Sequence, residues 1–524
     1  MFDLFGPTST TAMSVRQRWA ALIMLSGALL VVVMDMTIVI MALPDLIRDL
    51  GPSPTEQLWI VDVYSLVLAG LLIPMSLFAD RIGRKRVLLL GFVVFGTGSL
   101  VVLFASAPGH VIAIRALLGV GGAMVMPATL SLIRTIFRDP KERALALAVW
   151  ASVSGLGAVI GPVVGGALME QFGWSAAFLI NIPFAVAALI AGIVLLPEAE
   201  DPHPGRWDVV ATALSVLGMV LLVWGVKRLA EAEWTDLRGL GALLCAGILL
   251  ALFVRRCLAR PRPLLDVRLF ARRPFAAGAI TALTSMLGMS ALLLLVATWL
   301  QISEGMSPLL AGVALLPMAA GSFLFAPLAP LLARWIGPRL VLTGGLGIAG
   351  AGMVLLFAAG NSLAYWQLAV VLVLVGASTG SLAIASALIM GSTPEAKAGH
   401  AAAIEESMYD LGNVLGIAIL GSIAAAVYGQ QINTDRFAAD GVTGDLATMA
   451  ADSPVGAMTV AEQTGATGLA QAATDAFGTA LARTSLAGGM LLLAVTGLVF
   501  WLVPKSTDLA THGLPEHEEK DSHV

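Results

Sequence analysis

The sequence predicts an all-α, polytopic membrane protein, and three observations carry that prediction. Of its 524 residues, 58% are apolar and 12% charged, and soluble domains carry about twice that charge. The mean hydropathy is +0.90. Apolar runs of about 20 residues or more recur along nearly the whole length, each long enough to cross roughly 30 Å of hydrocarbon as a helix. The runs lack the period-two alternation of barrel strands.

Taken in order, the runs place fourteen helices at 19–43, 57–79, 86–107, 110–136, 143–169, 174–197, 208–228, 236–257, 274–301, 308–333, 338–359, 364–390, 399–428 and 480–503. An even count puts both termini on one side. The basic clusters are Arg16 and Arg18; Arg81, Arg84, Lys85 and Arg86; Arg134, Arg138, Lys141 and Arg143; and the run RRCLARPRPLLDVRLFARR. With a cytoplasmic N-terminus, about 23 of the 30 Lys and Arg fall inside. Both termini are therefore expected in the cytoplasm, and the protein in the cell (plasma or inner) membrane. The first run is too long for a signal-peptide core and lacks a small-residue cleavage site, so it is expected to stay as the first span.

The expected organisation is a cytoplasmic segment 1–18, a six-helix bundle 19–197, two linker helices within 198–260, a second six-helix bundle 261–503 and a tail 504–524. The acidic, Ala/Gly/Thr-rich segment 429–479 is expected outside, as a mobile or partly helical loop, with a lid over the outer mouth as the alternative. The tail is expected to be disordered. An internal match supports the two bundles. ADRIGRKRVLL (79–89) follows the second helix and ARWIGPRLVL (333–342) the tenth, aligning Ala79 with Ala333, Gly83 with Gly337 and Lys85 with Arg339. Parallel six-helix repeats are a transporter architecture with the substrate site between the halves.

Polar residues inside apolar runs carry the functional reading. Asp35 lies in VVVMDMTIVIMALP (31–44). A carboxylate at the centre of a span costs roughly 2.5–3.5 kcal/mol on insertion scales. Asp62 and Arg115 fall at a similar depth, so Arg115 is a candidate partner for the acids, against a side chain that merely snorkels to the interface. Farther along, AAAIEESMYDLGNVLG (401–416) puts Glu406 and Asp410 one turn apart on one face. Two like charges so close in a low dielectric cannot both ionise cheaply, which suits a proton carrier. Glu405 is expected to point about 100° away from that face.

Two stretches speak to moving parts. GLGAVIGPVVGG (155–166) spaces Gly157, Gly161 and Gly165 along one helix face, which lets a neighbouring backbone approach, and Pro162 can bend the helix. Gly166 closes the stretch. The loop LFADRIGRKR joins Asp80, Arg81, Gly83 and Arg84. Its bases suit a positive-inside anchor, and Asp80 suits a latch at a helix end. Candidate walls for an apolar cargo are Trp59, Tyr64, Met286, Met289, Trp299 and Tyr409, each also explicable as packing. Cys245 and Cys257 fit neither a disulfide framework nor a zinc site, and none of the six His falls mid-span. No metal, cofactor or nucleic-acid partner is expected, and no ATP-binding loop or nucleophile–base pair marks an enzyme.

Together these stretches resemble the major facilitator superfamily, specifically its fourteen-helix drug:proton antiporters, and among them the exporters of quaternary ammonium compounds. DMTIVIMALP (35–44) is similar to the family's first-helix motif at Asp35, Thr37, Ala42, Leu43 and Pro44. GLGAVIGPVVGG matches its antiporter motif at Gly157, Gly161, Pro162, Gly165 and Gly166. WIVDVYSLVLAG and EESMYDLGNVLG look like the quaternary-ammonium branch, where acids matching Asp62, Glu406 and Asp410 are implicated in substrate or proton binding. Ser76, Phe78 and Leu118 depart from the usual residues. The resemblance implies a major facilitator fold of two six-helix bundles with two helices between them, working as a monomer. It implies a multidrug efflux antiporter, conferring antibiotic resistance, that exports lipophilic, mainly monovalent cations against protons and is driven by the proton gradient without a cofactor. Export of an endogenous lipid, siderophore or metabolite, with drugs as incidental cargo, is the alternative.

Overall fold

The computed structural model describes residues 13–504 except 138, 199–207, 232–235, 261–262, 264, 360–362 and 395–396. No strand occurs among the described residues. Local signals in the chain start and stop its helices. α1 (Val15–Leu50) opens on a capping box between Ser14 and Gln17 and stops at Gly51, whose φ of 58° is left-handed. α2 (Pro54–Ile82) opens on a second box, Ser53 with Glu56, and stops at Gly83. Then come α3 (Arg84–Val101), α4 (Pro108–Ile136), α5 (Pro140–Phe172), a single turn α6 (Ala176–Leu179) and α7 (Asn181–Leu195). α8 (Val209–Glu231) and α9 (Leu237–Ala259) pack on each other, and α8 also lies against α2.

After α10 (Arg273–Ile302) the helices break more often. α11 (Pro308–Ala314) and α12 (Leu316–Ile336) form one span interrupted at Leu315, and α14 (Tyr365–Ala377) and α15 (Thr379–Gly391) one interrupted at Ser378. Between these two spans runs α13 (Pro338–Ala359). α16 (Ala398–Gly416) continues through a π turn, Ile417–Gly421, into α17 (Ser422–Gln431). Thirteen segments among the described residues are long and apolar enough to cross a membrane. The 33-residue α5, some of whose side chains lie outside the described residues, takes the place of the fifth expected span. The expected count is fourteen, one more than the thirteen found.

The segment expected as an external loop is largely helical. A 3₁₀ turn (Thr434–Asp440), α18 (Asp445–Asp452) and α19 (Pro454–Thr464) precede α20 (Thr467–Leu502), which starts well before the expected 480. The extra turns are too polar to read as a span, yet Ala-rich enough to stay helical. α19 rests on α1, α10 and α20, at the end of the molecule opposite the basic loops. Tyr428 Oη donates to the Ala450 carbonyl at 3.0 Å, tying α17 to α18.

Small residues set the closest helix contacts. A Cβ on Gly157 would press on the Leu30 carbonyl, on Gly161 on Thr37 and the Met34 carbonyl, and on Gly165 on Ile38. The glycine face of α5 therefore lies against residues 30–38 of α1, the stretch that carries Asp35. Gly166 faces the Pro308 backbone, and Gly312 faces the Pro162 carbonyl, so α5 meets α11 backbone to backbone. Lipid offers no hydrophobic drive for helix association, so such close van der Waals contact holds spans together.

Candidate functional site

Asp35 is the centre of a closed polar cluster, 1% exposed. Arg115 of α4, 0% exposed, reaches it with Nη1 at 2.6 Å from Oδ2. The same Nη1 donates to the Asp35 carbonyl at 3.1 Å, Nε to the Ile60 carbonyl at 3.0 Å and Nη2 to the Val61 carbonyl at 3.2 Å. One guanidinium thus binds α1 and α2 at once. It sits 4.6 Å from the centroid of the Tyr64 ring, whose hydroxyl donates to the Val32 carbonyl at 3.1 Å. Arg115 does not snorkel; it is the buried partner that its depth suggested.

The other carboxylate oxygen is held by a residue the sequence did not single out. Asn181, at the start of α7, donates from Nδ2 to Asp35 Oδ1 at 2.7 Å and to Ser99 Oγ at 3.2 Å. Both oxygens of Asp35 therefore have a donor: α1, α4 and α7 meet at one carboxylate, and the guanidinium ties in α2 as a fourth helix. A buried ion pair this well satisfied avoids most of the penalty of an isolated charge. Asp62, 1% exposed, is a second buried acid, next in the chain to Val61, whose carbonyl Arg115 binds.

The α16 acids form a different arrangement. Asp410 is 3% exposed, with Glu406 one turn away and acting on it electrostatically. Glu405, expected to point elsewhere, is itself buried, and Tyr409 Oη donates to its Oε1 at 2.7 Å. Glu406 is half-buried between them in sequence, so three acids share one stretch of helix. No ion pair to them occurs among the described residues. Gly412 and Gly416 let α16 lie directly on the Leu283 and Leu287 carbonyls of α10.

The remaining candidates fall into place as follows. Tyr64 and Trp299 are buried in the core, Met289 packs on it, and Trp59 and Met286 are half-buried. The side chain of Asp80 lies outside the described residues, as do those of Arg134, Arg138, Lys141 and Arg143 and the tail from Lys505. Arg81 is exposed, and Arg84 donates to Thr135 Oγ1 at 3.0 Å. No group of three or more metal-ligating side chains occurs among the described residues. A cavity of about 90 Å³ lies between the halves under α19. Its walls are mainly apolar (Leu43, Leu58, Leu294, Tyr428), and Val61, whose carbonyl binds Arg115, lines it too.

Comparison with known proteins adds to this geometry. Residues 25–417 match the sequence profile of the Major Facilitator Superfamily. The chain is 39% identical over 500 residues to the multidrug efflux pump LfrA of Mycolicibacterium smegmatis, covering 94% of this chain and 98% of that one. It is 37% identical over 417 residues to the methyl viologen resistance protein SmvA of Salmonella typhimurium, covering 79% and 84%. Among solved structures, a bacterial homolog of the human lysosomal transporter Spinster, in an inward-facing and unoccupied conformation, superposes with a TM-score of 0.66 at 17% identity, covering 94% and 98%. That likeness concerns the fold.

Proposed function

We propose, for a chain that belongs to the Major Facilitator Superfamily, that it is an antiporter exchanging protons moving inward for lipophilic, mainly monovalent cationic drugs moving outward. One observation carries the reading: Asp35 is buried where four helices meet, with Arg115 and Asn181 on its two oxygens. Such a carboxylate has two states, ionised and paired with Arg115, or neutral with a proton and the pair broken. Moving between them changes what holds α1, α2, α4 and α7 together. The names of LfrA and SmvA support drugs as cargo.

The cycle is competition for carboxylates. Cargo arriving from the cytoplasm displaces protons from the buried acids; protons arriving from outside displace the cargo. Asp35 with Arg115 forms one coupled site and the α16 acids the second. One cation out for one proton in moves no net charge. Each further proton adds about 2.3 kcal/mol per 100 mV of membrane potential. The termini lie in the cytoplasm of the cell membrane, and one chain suffices.

The test is ethidium efflux from proteoliposomes with a pH gradient or a potential imposed separately. Asp35→Asn should abolish efflux while the protein still inserts; normal efflux by that variant removes Asp35 from the mechanism. The tenth span, Pro308–Ile336, has no acid on its apolar stretch LLPMAAGSFLFAPLAP. Monovalent ethidium should therefore be exported better than methyl viologen, a dication. Equal export of both refutes that part.

A further inference from the structure

We propose that the cavity under α19 is an outer binding site for a single-chain alkylammonium cation, with its tail between the two halves and its charged head on Asp452. It rests on the export of lipophilic cations proposed above, and would be the last stop on the way out. The lining residues sort by depth. Ile47 of α1, Pro54 of α2, Thr298 of α10 and Tyr428 of α17 each lie near the end of their helix on the α19 side. Leu43, Val61, Leu294 and Gly421 of the same four helices lie one or two turns farther in. The cavity is therefore a slot running inward from the lid. From Pro54 to Val61 it extends roughly 10 Å, at about 1.5 Å per helical residue. A volume of about 90 Å³ over that depth is narrow, and fits one chain better than a fused ring system.

Polarity sorts along the same axis. The inner end is lined by Leu43, Leu58, Val61 and Leu294. The polar side chains sit at the mouth, and most are spent on the protein. Gln57 Nε2 donates to the Pro52 carbonyl at 3.0 Å and Thr298 Oγ1 to the Leu294 carbonyl at 2.9 Å. Tyr428 is held by Ala450, and Ser453 Oγ accepts the Gly456 N–H at 3.0 Å. Asp452 is the exception. Its carboxylate has no hydrogen bond or ion pair among the described residues. It is the last residue of α18, whose final turn carries no base, so the negative end of the helix adds to its charge. Its outer side is exposed, while the protein around the rest pushes its carboxyl above the usual value.

A negative mouth over an apolar floor selects the occupant. A metal ion takes about six or more oxygens, and one carboxylate lines this cavity. A neutral amphiphile leaves the charge unmet, and an anion is repelled. An organic cation meets it. Tyr428 and Phe477, which also line the cavity, offer rings of the kind that attract ammonium groups. The slot then takes the tail and turns the head outward, towards the exit. Asp35 and Asp410, by contrast, hold their charge inside the protein.

Full-length protein in nanodiscs, titrated calorimetrically with tetramethylammonium and octyltrimethylammonium and corrected against empty nanodiscs, tests this. The octyl cation should bind at least tenfold more tightly, since each buried methylene adds about fourfold. One binding step should weaken about tenfold in Asp452→Asn and recover in Asp452→Glu. Ala424→Phe, which fills the slot and keeps the carboxylate, should erase the gain from the octyl chain. No change in either Asp452→Asn or Ala424→Phe overturns the proposal. So does octyl binding that is lost in Asp410→Asn and unchanged in Asp452→Asn; the cation then lies on the α16 acids, and the proposed exchange survives. Ethidium efflux indifferent to pH gradient and potential, with the Asp452 effect intact, refutes the exchange and upholds this site.

Discussion

The Asp35 cluster and the α16 acids are both buried carboxylates in spans, yet they solve the problem of charge oppositely. Asp35 has a guanidinium on one oxygen and an amide on the other. Glu405, Glu406 and Asp410 share one stretch of helix, and a tyrosine hydroxyl is the donor seen on Glu405. The first group is balanced by protein side chains that tie α1, α2, α4 and α7 together. The second has no ion pair among the described residues, which is what the proposed exchange of protons and cationic cargo requires. The same residue type is thus paired within the protein in one half and left without a cation among the described residues in the other.

The strongest way to break this contrast is to remove the balancing charge. Arg115→Ala strands Asp35 and should cost about 3–5 kcal/mol of stability, seen as a large drop in melting temperature in detergent. Arg115→Met with Asp35→Leu should recover much of that stability without recovering efflux. Next, Asn181→Ala leaves Asp35 Oδ1 without its amide donor and should cost about 1–3 kcal/mol, measured the same way. Gly161→Ala forces α5 off Thr37 and the Met34 carbonyl, at about 1–3 kcal/mol, and efflux should fall with it. Asp410→Asn sharpens the contrast from the other side. It removes a charge with no cation beside it, so the melting temperature should hold or rise while ethidium efflux collapses. A loss of stability there as large as that of Arg115→Ala would erase the distinction.

The smallest effect belongs to a paired acid outside the spans. Asp208 accepts from Arg256 Nε at 2.8 and 2.9 Å, and that hydrogen bond holds its carboxyl below the usual carboxylate range. A lowered folded value means that the stabilisation is present above about pH 4 and is lost as the pH falls through the folded value. Between pH 7 and 5 the α8–α9 hairpin should therefore not respond. Asp208→Asn should cost about 0.2–1 kcal/mol at neutral pH and nothing at the acid end, readable from melting temperatures across pH.

Much of this was legible in the sequence because membranes simplify it. Apolar length places spans, and the shared depth of Asp35 and Arg115 foretold their contact. Glycines every four residues marked the face of α5 that receives α1. Asn181 was not legible: it lies 146 residues from Asp35, and one amide at a helix start follows no period. Its cost inside an apolar run was the available signal. The angle of about 100° left the burial of Glu405 unread, because a helix near the centre of a bundle has more than one inward face. The start of α20 was missed because hydropathy reports where the bilayer ends, whereas the helix continues past it.

α19 lies across α1, α10 and α20 like a staple across a seam. Two bodies joined that way cannot separate at this end until one leg lets go. The delay would depend on how firmly Val455 and Val460, both buried, hold their places. Shaving those two side chains should thus alter tempo rather than taste, quickening release with the order of cargoes unchanged.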